Sequence, residues 1–299
     1  SGSSSNLEKI NSSAGNRRTM TYSFWFKRVK INFQTILRGK QAASDRHGLD
    51  LLSDGGFRFW GNAYNASPLF HVQPSRLLRD LNAWYHLVLS IDTTQSTASD
   101  RVKFYINGDL ITDFGTTSYP DQNESLYLND ACRQTWGVED GGIDIYFADI
   151  HFIDGYQYDA SYFGYTESQT GIWRPKKYEG TYQDNSYHLD FSDPTSLDTL
   201  GIDKSPLGND YAAEGFQVSA GYNQDTLLDT PTKEYCILNN LHHNSTNTTF
   251  SNGNLYASIP ASNTNGKAFG TIPIKTGKWY WEVLYNQAGG NGDYLYVGL

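Results

Sequence analysis

The chain has 299 residues, enough for two ordinary domains or one large sandwich. Its formal net charge is −9 and its basic residues are scattered, the densest cluster being Lys27-Arg28-Val29-Lys30, which argues against a nucleic-acid partner. No apolar run approaches the roughly 18 residues of a membrane-spanning helix, so membrane insertion is not expected, and two cysteines are too few for a disulfide framework. Aromatic residues make up 15% of the chain, with 22 Tyr and 7 Trp against a single Met. Gly, Ser, Thr, Asn and Asp are plentiful, a balance that suits short strands joined by polar turns. The expected class is all-β. No signal peptide is evident, and the start, Ser1-Gly-Ser-Ser-Ser-Asn6, reads as a processed end or a fragment boundary.

Residues 1–19 read as an N-terminal segment or arm. The first strand is expected from Met20 to Arg28, where Tyr22, Phe24 and Phe26 share one face and Ser23, Trp25 and Lys27 the other. Further strands are expected over 35–38, 48–52, 57–60, 84–91, 102–106 and 143–153, with turns at 53–56, 107–108 and 140–142. The pair at 84–106 is the clearest. Tyr85, Leu87, Leu89 and Ile91 alternate with His86, Val88 and Ser90, and Val102, Phe104 and Ile106 alternate with Lys103 and Tyr105 before Asn107-Gly108. Asn-Gly between apolar runs marks a tight hairpin, because both residues tolerate positive φ. In the run 143–155, Ile143, Ile145 and Phe147 fall on one face and Tyr146, Ala148 and Ile150 on the other, so both faces are expected to be buried. Asp159 stands at the cap position of a short helical turn over 161–165.

The strings "SFWFK" (23–27), "ILRG" (36–39), "GLDLL" and "FRFW" (48–60) and "WYHLVLSID…VKFYINGDLI" (84–111) come in the order found in laminin-G and pentraxin-like domains, and the chain resembles those concanavalin-type jelly rolls. Tyr187 to Asp193, with the loop Asp203 to Asp210, resembles the opening strand and loop of the same family, here displaced to the C-terminal side. The expected arrangement is one sandwich over 20–225, circularly permuted and closed by residues 187–210. Residues 226–299 resemble the first part of a SPRY domain, through the motif 249–255, "GKWYWEV" (277–283) and "YVGL" (296–299). The expected fold is therefore a concanavalin-like antiparallel β-sandwich followed by a second, incomplete SPRY-like sandwich. Cys132 and Cys236, in different modules, are expected as free thiols. The ordered set, with "ADIHFIDG" (148–155) and "GIWRPKKYEG" (171–180), resembles structural proteins of marine bacteriophage virions, carried in fibres or appendages.

Concanavalin-like folds include glucanases, which place two carboxylates a short distance apart on one strand. The nearest candidates, Asp144 and Asp149, are five residues apart, and a regular strand puts them on opposite faces. The histidines are dispersed and show no spacing of converging zinc ligands. No enzyme is expected. The resemblance implies calcium, for which Asp203, Asn209 and Asp210 are the candidate ligands, with Asp45 and Asp54 in earlier loops. Sugar recognition uses flat aromatic faces with polar neighbours. Trp60, Tyr64, Arg133, Gln134 and Trp136 are the candidates, with Tyr119 and Trp173 as further loop aromatics. The expected function is a non-enzymatic virion protein, homo-oligomeric and in contact with other virion proteins, that recognises a bacterial surface polysaccharide. The alternatives are a purely architectural or protein-docking module and, third, a glycan hydrolase.

Overall fold

Alternation of apolar and polar residues marks the longer strands, and the computed structural model pairs most strands into two large facing sheets. It describes residues 5–42, 45–62, 69–137, 143–219, 225–233, 235–243, 248–251, 253–258 and 267–285. The chain divides into a unit from Ser1 to Tyr235 and a second from Cys236 to Leu299. In the first unit the strands are β1 (Asn6–Ile10), β2 (Thr19–Arg28), β3 (Gln34–Lys40), β4 (Arg46–Leu51), β5 (Phe57–Asn62), β6 (Phe70–Pro74), β7 (Tyr85–Asp92), β8 (Val102–Ile106), β9 (Asp109–Leu110), β10 (Phe114–Ser118), β11 (Arg133–Trp136), β12 (Ile145–Asp154), β13 (Gly164–Thr166), β14 (Trp173–Pro175), β15 (Tyr187–Leu189) and β16 (Ala212–Glu214). One sheet has eight strands in the order β10-β6-β5-β4-β3-β11-β1-β16, and the other six in the order β15-β12-β2-β7-β8-β9, with β13 and β14 as a separate pair. The ladders are antiparallel.

The core lies between the sheets. Tyr22, Phe24 and Phe26 of β2 and Leu87, Leu89 and Ile91 of β7 meet Leu37, Leu49, Phe57, Phe59, Phe70 and Trp136 from the facing sheet. The inward parity of β2 and β7 follows from their period of two. The hairpin after β8 has its expected turn, with Asn107 at φ 51° and Gly108 at φ 88°. Gly108 also serves packing, because a Cβ there would stand 2.5 Å from the Trp173 ring.

The N-terminal residues enter the fold earlier than an arm over 1–19 would allow. Asn6–Ile10 is a strand between β11 and β16, and Leu7 is buried in the core. The displaced strands close the two sheets at their edges, β15 beside β12 and β16 beside β1.

A second layer covers the outer face of the six-stranded sheet. Residues from Tyr156 to Tyr182 lay Ala160, Phe163 and Tyr178 over Val88 and Ile153, with Tyr105, Tyr158 and Trp173 alongside. This explains why both faces of β12 are apolar. The helical turn is Ala160–Tyr162, capped by the Asp159 side chain on the Ser161 N–H.

The basic cluster in β2 is consumed internally. Lys27 Nζ lies 2.8 Å from Asp229 Oδ2 with both side chains buried, and Trp84 Nε1 donates to the same oxygen at 2.9 Å. Arg28 is fully buried and donates to the carbonyls of Lys30, Asn32, Leu52 and Leu78. Lys30 pairs with Asp144 at the surface.

The second unit contains β17 (Leu238–His243) paired with β20 (Ala268–Gly270), and β18 (Thr249–Ser251) paired with β19 (Tyr256–Ser258). The segment 277–283, whose string resembles an entry strand of a SPRY domain, is not a strand. Among the described residues no neighbour offers it a ladder, and Trp279, Tyr280, Trp281 and Val283 are exposed. Cys132 and Cys236 are free thiols. The expected turn at 140–142 lies outside the described residues.

Candidate functional site

Two of the residues expected to bind sugar are core residues. The Trp136 ring is buried among Tyr22, Phe24 and Phe147, and its Nε1 donates to Tyr187 Oη at 2.8 Å. It follows Arg133 and Gln134 in β11, whose register with β1 sets Trp136 opposite Leu7 and Gln134 opposite Lys9, on the inward face. Gln134 is buried and donates to the Tyr127 carbonyl. Arg133 points outward and pairs with Glu8. Tyr64 lies outside the described residues. Trp173 is no loop aromatic either. It sits in β14, stacks on His86 and donates its N–H to His86 Nδ1 at 3.0 Å.

Trp60 is different. It belongs to β5 and points away from the core, paired across the ladders with Gly48 and His71. Its indole lies over Gly48, the one neighbour without a side chain to displace it. The Arg46 guanidinium stands 5.6 Å and that of Arg58 5.8 Å from the ring centroid, within cation–π range. Arg58 is held by Asp50, which accepts its Nε at 3.0 Å and its Nη2 at 2.9 Å. Burial lifts the Asp50 carboxyl above its ordinary value, against the bonds from Thr35 and Arg58. Trp60 Nε1 is buried and has no hydrogen-bond partner among the described residues. The register also brings Arg38 and Lys40 of β3 and Arg133 of β11 to this face. A chain with net charge −9 thus gathers a cationic strip on the outer face of one sheet, around one flat ring. The sequence hides this, because the residues come from four strands spread over about a hundred positions.

The loop expected to bind calcium is occupied by its own contacts. Asp203 Oδ1 accepts the backbone N–H groups of His188 and Ser205, and Oδ2 accepts Asn209 N–H and Ser205 Oγ–H. Asp210 accepts the Asp203 N–H. Asn209 Oδ1 accepts Lys9 Nζ at 2.7 Å. Burial holds the Lys9 ammonium down to about 8, against the pull of Asp203 and Asp210. The Lys9 ammonium thus occupies Asn209 Oδ1, and the Asp203 and Asp210 carboxylates are engaged by N–H and O–H donors of their own loop and of His188. Asp54 likewise caps its own turn, through Gly56 N–H.

A cluster missed in the sequence lies on the outer face of the six-stranded sheet. β12 carries a bulge between Ala148 and His151, where two residues oppose Phe24, and Asp149 takes φ 52°. The bulge reverses the alternation, so Ile150 joins Ile145 in the core while Asp149 turns outward with His151. His188 of β15 is the ladder partner of His151. Their rings stack at 4.0 Å, and Asp149 Oδ1 lies 2.7 Å from His188 Nε2 and 3.3 Å from His151 Nε2. Burial alone would raise the Asp149 carboxyl; the bonds from His151 and His188 outweigh it and hold it well below the usual range. His151 Nδ1 meets Tyr182 Oη at 2.8 Å. Burial, with the Asp149 and Asp203 charges behind it, pushes the Tyr182 phenol far up, so it is a hydroxyl at neutral pH. The bulge also changes the argument about catalysis. Asp144 and Asp149 share a face after all, but five strand steps are about 16 Å, beyond the reach of a glycosidase pair.

Strand order and site together define an all-β protein with a concanavalin-like antiparallel sandwich. Residues 2–145 match the Laminin_G_3 family model, described as the concanavalin A-like lectin/glucanases superfamily. Similar solved structures include the heptameric SAP-like pentraxin of Limulus polyphemus, at 14% identity over 50% of this chain and 69% of that one, with a TM-score of 0.36. Domains LG4-5 of the mouse laminin alpha1 chain are similar at 14% identity over 52% of this chain and 41% of that one, with a TM-score of 0.38. The Ruminococcus gnavus IT-sialidase CBM40, solved with α2,3-sialyllactose, is similar at 15% identity over 45% of this chain and 92% of that one, with a TM-score of 0.26. Overlaps this partial do not by themselves fix the fold; the family match and the two stacked sheets do. No curated protein matches the chain.

Proposed function

We propose that the sandwich is a non-enzymatic carbohydrate-binding module of a phage virion appendage, and that it takes acidic bacterial surface polysaccharide on the outer face of its eight-stranded sheet. The observation that carries this is the Trp60 indole with Arg46 and Arg58 against it and an unpartnered N–H. Trp60 is only 7% exposed, so the ring serves as a mount for the guanidinium groups more than as a stacking face. Planar guanidiniums on a rigid strand pair well with carboxylates, which favours uronic or sialic acid residues over neutral sugars. The superfamily description adds support, and the phage setting rests on the motif order alone. The second unit is read as SPRY-like on the motifs 249–255 and 277–283. Homo-oligomeric display would raise a weak single-site affinity.

The test is an array of neutral and acidic bacterial polysaccharides, probed with the wild type and with Arg46→Ala. Among the described residues Arg46 has no carboxylate partner, so its removal is expected to leave the fold intact, which the variant's melting point checks. Retention on acidic polymers, weakened about tenfold or more by Arg46→Ala as for a charge-assisted hydrogen bond, supports the reading. Silence across the array, or binding that Arg46→Ala leaves unchanged, rejects it and favours an architectural or protein-docking role.

A further inference from the structure

The Asp149, His151 and His188 cluster lies on the other sheet from Trp60, and the proposed glycan site makes no use of it. Its parts come from two adjacent strands. The antiparallel ladder sets His151 directly opposite His188, so both imidazoles leave the same face of the sheet. Asp149 would point into the core in a regular strand. The bulge, with its positive φ, turns the carboxylate outward to the Nε2 edges of the two rings. A non-glycine residue is held in left-handed backbone here, and its carboxylate is thereby aimed at both imidazoles through one oxygen.

The donor atoms all lie within 4.8 Å of one another. Tetrahedral zinc with bonds of about 2.0–2.1 Å sets its ligand atoms about 3.3 Å apart. The Asp149 contacts of 2.7 and 3.3 Å are near this. His188, the more exposed imidazole, must rotate out of its stack on His151 to aim its nitrogen at the same ion. The set is complete enough in kind, with two imidazole nitrogens and one carboxylate. Such donors select zinc and its late-transition neighbours over calcium and magnesium, which take oxygen. Support around the ligands is also present. Metal binding at His151 Nε2 would leave the proton on Nδ1, where Tyr182 Oη is in place to accept it. The Tyr182 hydroxyl serves either tautomer, as donor in the free protein or as acceptor with metal bound. Phe163 and Tyr178 pack on the His151 ring and fix its plane. The backbone of His188 is tied to Asp203 through its N–H. Access remains, since the Asp149 side chain is 31% and that of His188 23% exposed, while His151 is sealed at 3%. A fourth position thus faces solvent.

We infer that Asp149, His151 and His188 form a binding site for one divalent transition-metal ion of the zinc class, with the fourth position left to water. The ion replaces the hydrogen bonds that now hold the three side chains together. It would clip the edge strand β15 to β12, the point where the C-terminal part of the sandwich closes the six-stranded sheet.

The experiment is calorimetric titration of the full chain with zinc, then with calcium, and a visible spectrum with cobalt as the reporter. Expected are one zinc per chain, no calcium signal at this site, and a tetrahedral cobalt band. His188→Ala and Asp149→Asn should each weaken zinc at least tenfold and abolish the cobalt band. Replacing the adjacent pair His242 and His243 by Ala should leave both unchanged. Asp149→Asn keeps shape and tolerates positive φ, so it remains informative should His188→Ala fail to fold. The inference is overturned by no zinc binding in the wild type, or by zinc binding that Asp149→Asn leaves intact.

Discussion

Acidification from pH 7 to pH 5 is expected to destabilise the first unit through two buried imidazoles, His47 and His86. His86 Nδ1 accepts the N–H of Trp173, and indole nitrogen only donates, so the His86 proton sits on Nε2 and points at Ser23 Oγ, 2.8 Å away. A second proton on Nδ1 would set two N–H groups head-on. His47 Nδ1 likewise accepts the backbone N–H of Tyr127 at 3.1 Å. Burial drives both imidazoles down to about 3 from an ordinary 6.5, helped at His47 by the charge of Arg17 and at His86 by His151, though Asp149 pulls the other way at His86. Between pH 6.5 and 3 the unfolded chain takes up these protons and the folded chain does not. The contribution is therefore complete above 6.5 and lost as the pH falls. Each pH unit in that window costs about 1.4 kcal/mol per group. At pH 5 the loss is about 2 kcal/mol for each histidine and about 4 kcal/mol for the two. Urea unfolding followed by tryptophan fluorescence at pH 7 and pH 5 measures it. In His86→Gln, whose amide can still accept from Trp173 and donate to Ser23, the loss should shrink to about 2 kcal/mol. Asp50 and Asp154, raised by burial, act in the opposite direction, but equally in both proteins. A wild-type loss under about 1 kcal/mol, or an equal loss in His86→Gln, would refute the reasoning.

Trp136→Ala is expected to cost about 3–5 kcal/mol, the range for a buried Trp, because it empties an aromatic core and takes the indole donor from the Tyr187 hydroxyl. At roughly 2–4 °C per kcal/mol, calorimetry should show melting lowered by about 6–20 °C, and an unchanged melting point would mean that the ring is not in the core. Asp229→Ala leaves the Lys27 ammonium buried without a counter-charge and should cost about 3–5 kcal/mol in urea unfolding. The double replacement Lys27→Met with Asp229→Leu removes both charges and should recover most of that; recovery of nothing would show that packing, not charge, holds residue 229. Millimolar calcium should shift melting by less than about 1 °C, since an ion bound well below that concentration would stabilise by mass action. A rise of several degrees that Asp203→Asn removes would restore the loop as a calcium site.

Much of the sandwich could be read directly from residue order. A period of two defines β2, β7 and β8, because a strand between sheets must bury every second side chain, and Asn107-Gly108 carries its turn in its own chemistry. The apolar residues on both faces of 143–155 correctly announced a strand covered on both sides. Local patterns failed where parity or partnership was decided elsewhere. Trp60 and Trp136 both sit beside glycine and polar residues, yet one points out and the other in, because inward parity is inherited from ladder neighbours such as Leu7 and Leu37. The bulge at Asp149 shifts the alternation by one residue, which no reading of "DIYFADI" reveals, and with it goes the convergence of Asp149 and His151.

Sequence alone therefore determined what local sterics and hydrophobic periodicity can determine: the all-β class, half the strands of the first unit, the hairpin and the helical cap. Only tertiary structure decided the cationic face around Trp60, the closure of the loop by Lys9 and the meeting of His151 with His188. Each depends on register between strands far apart in the chain, and register is set by the pairing of whole sheets, not by any one segment.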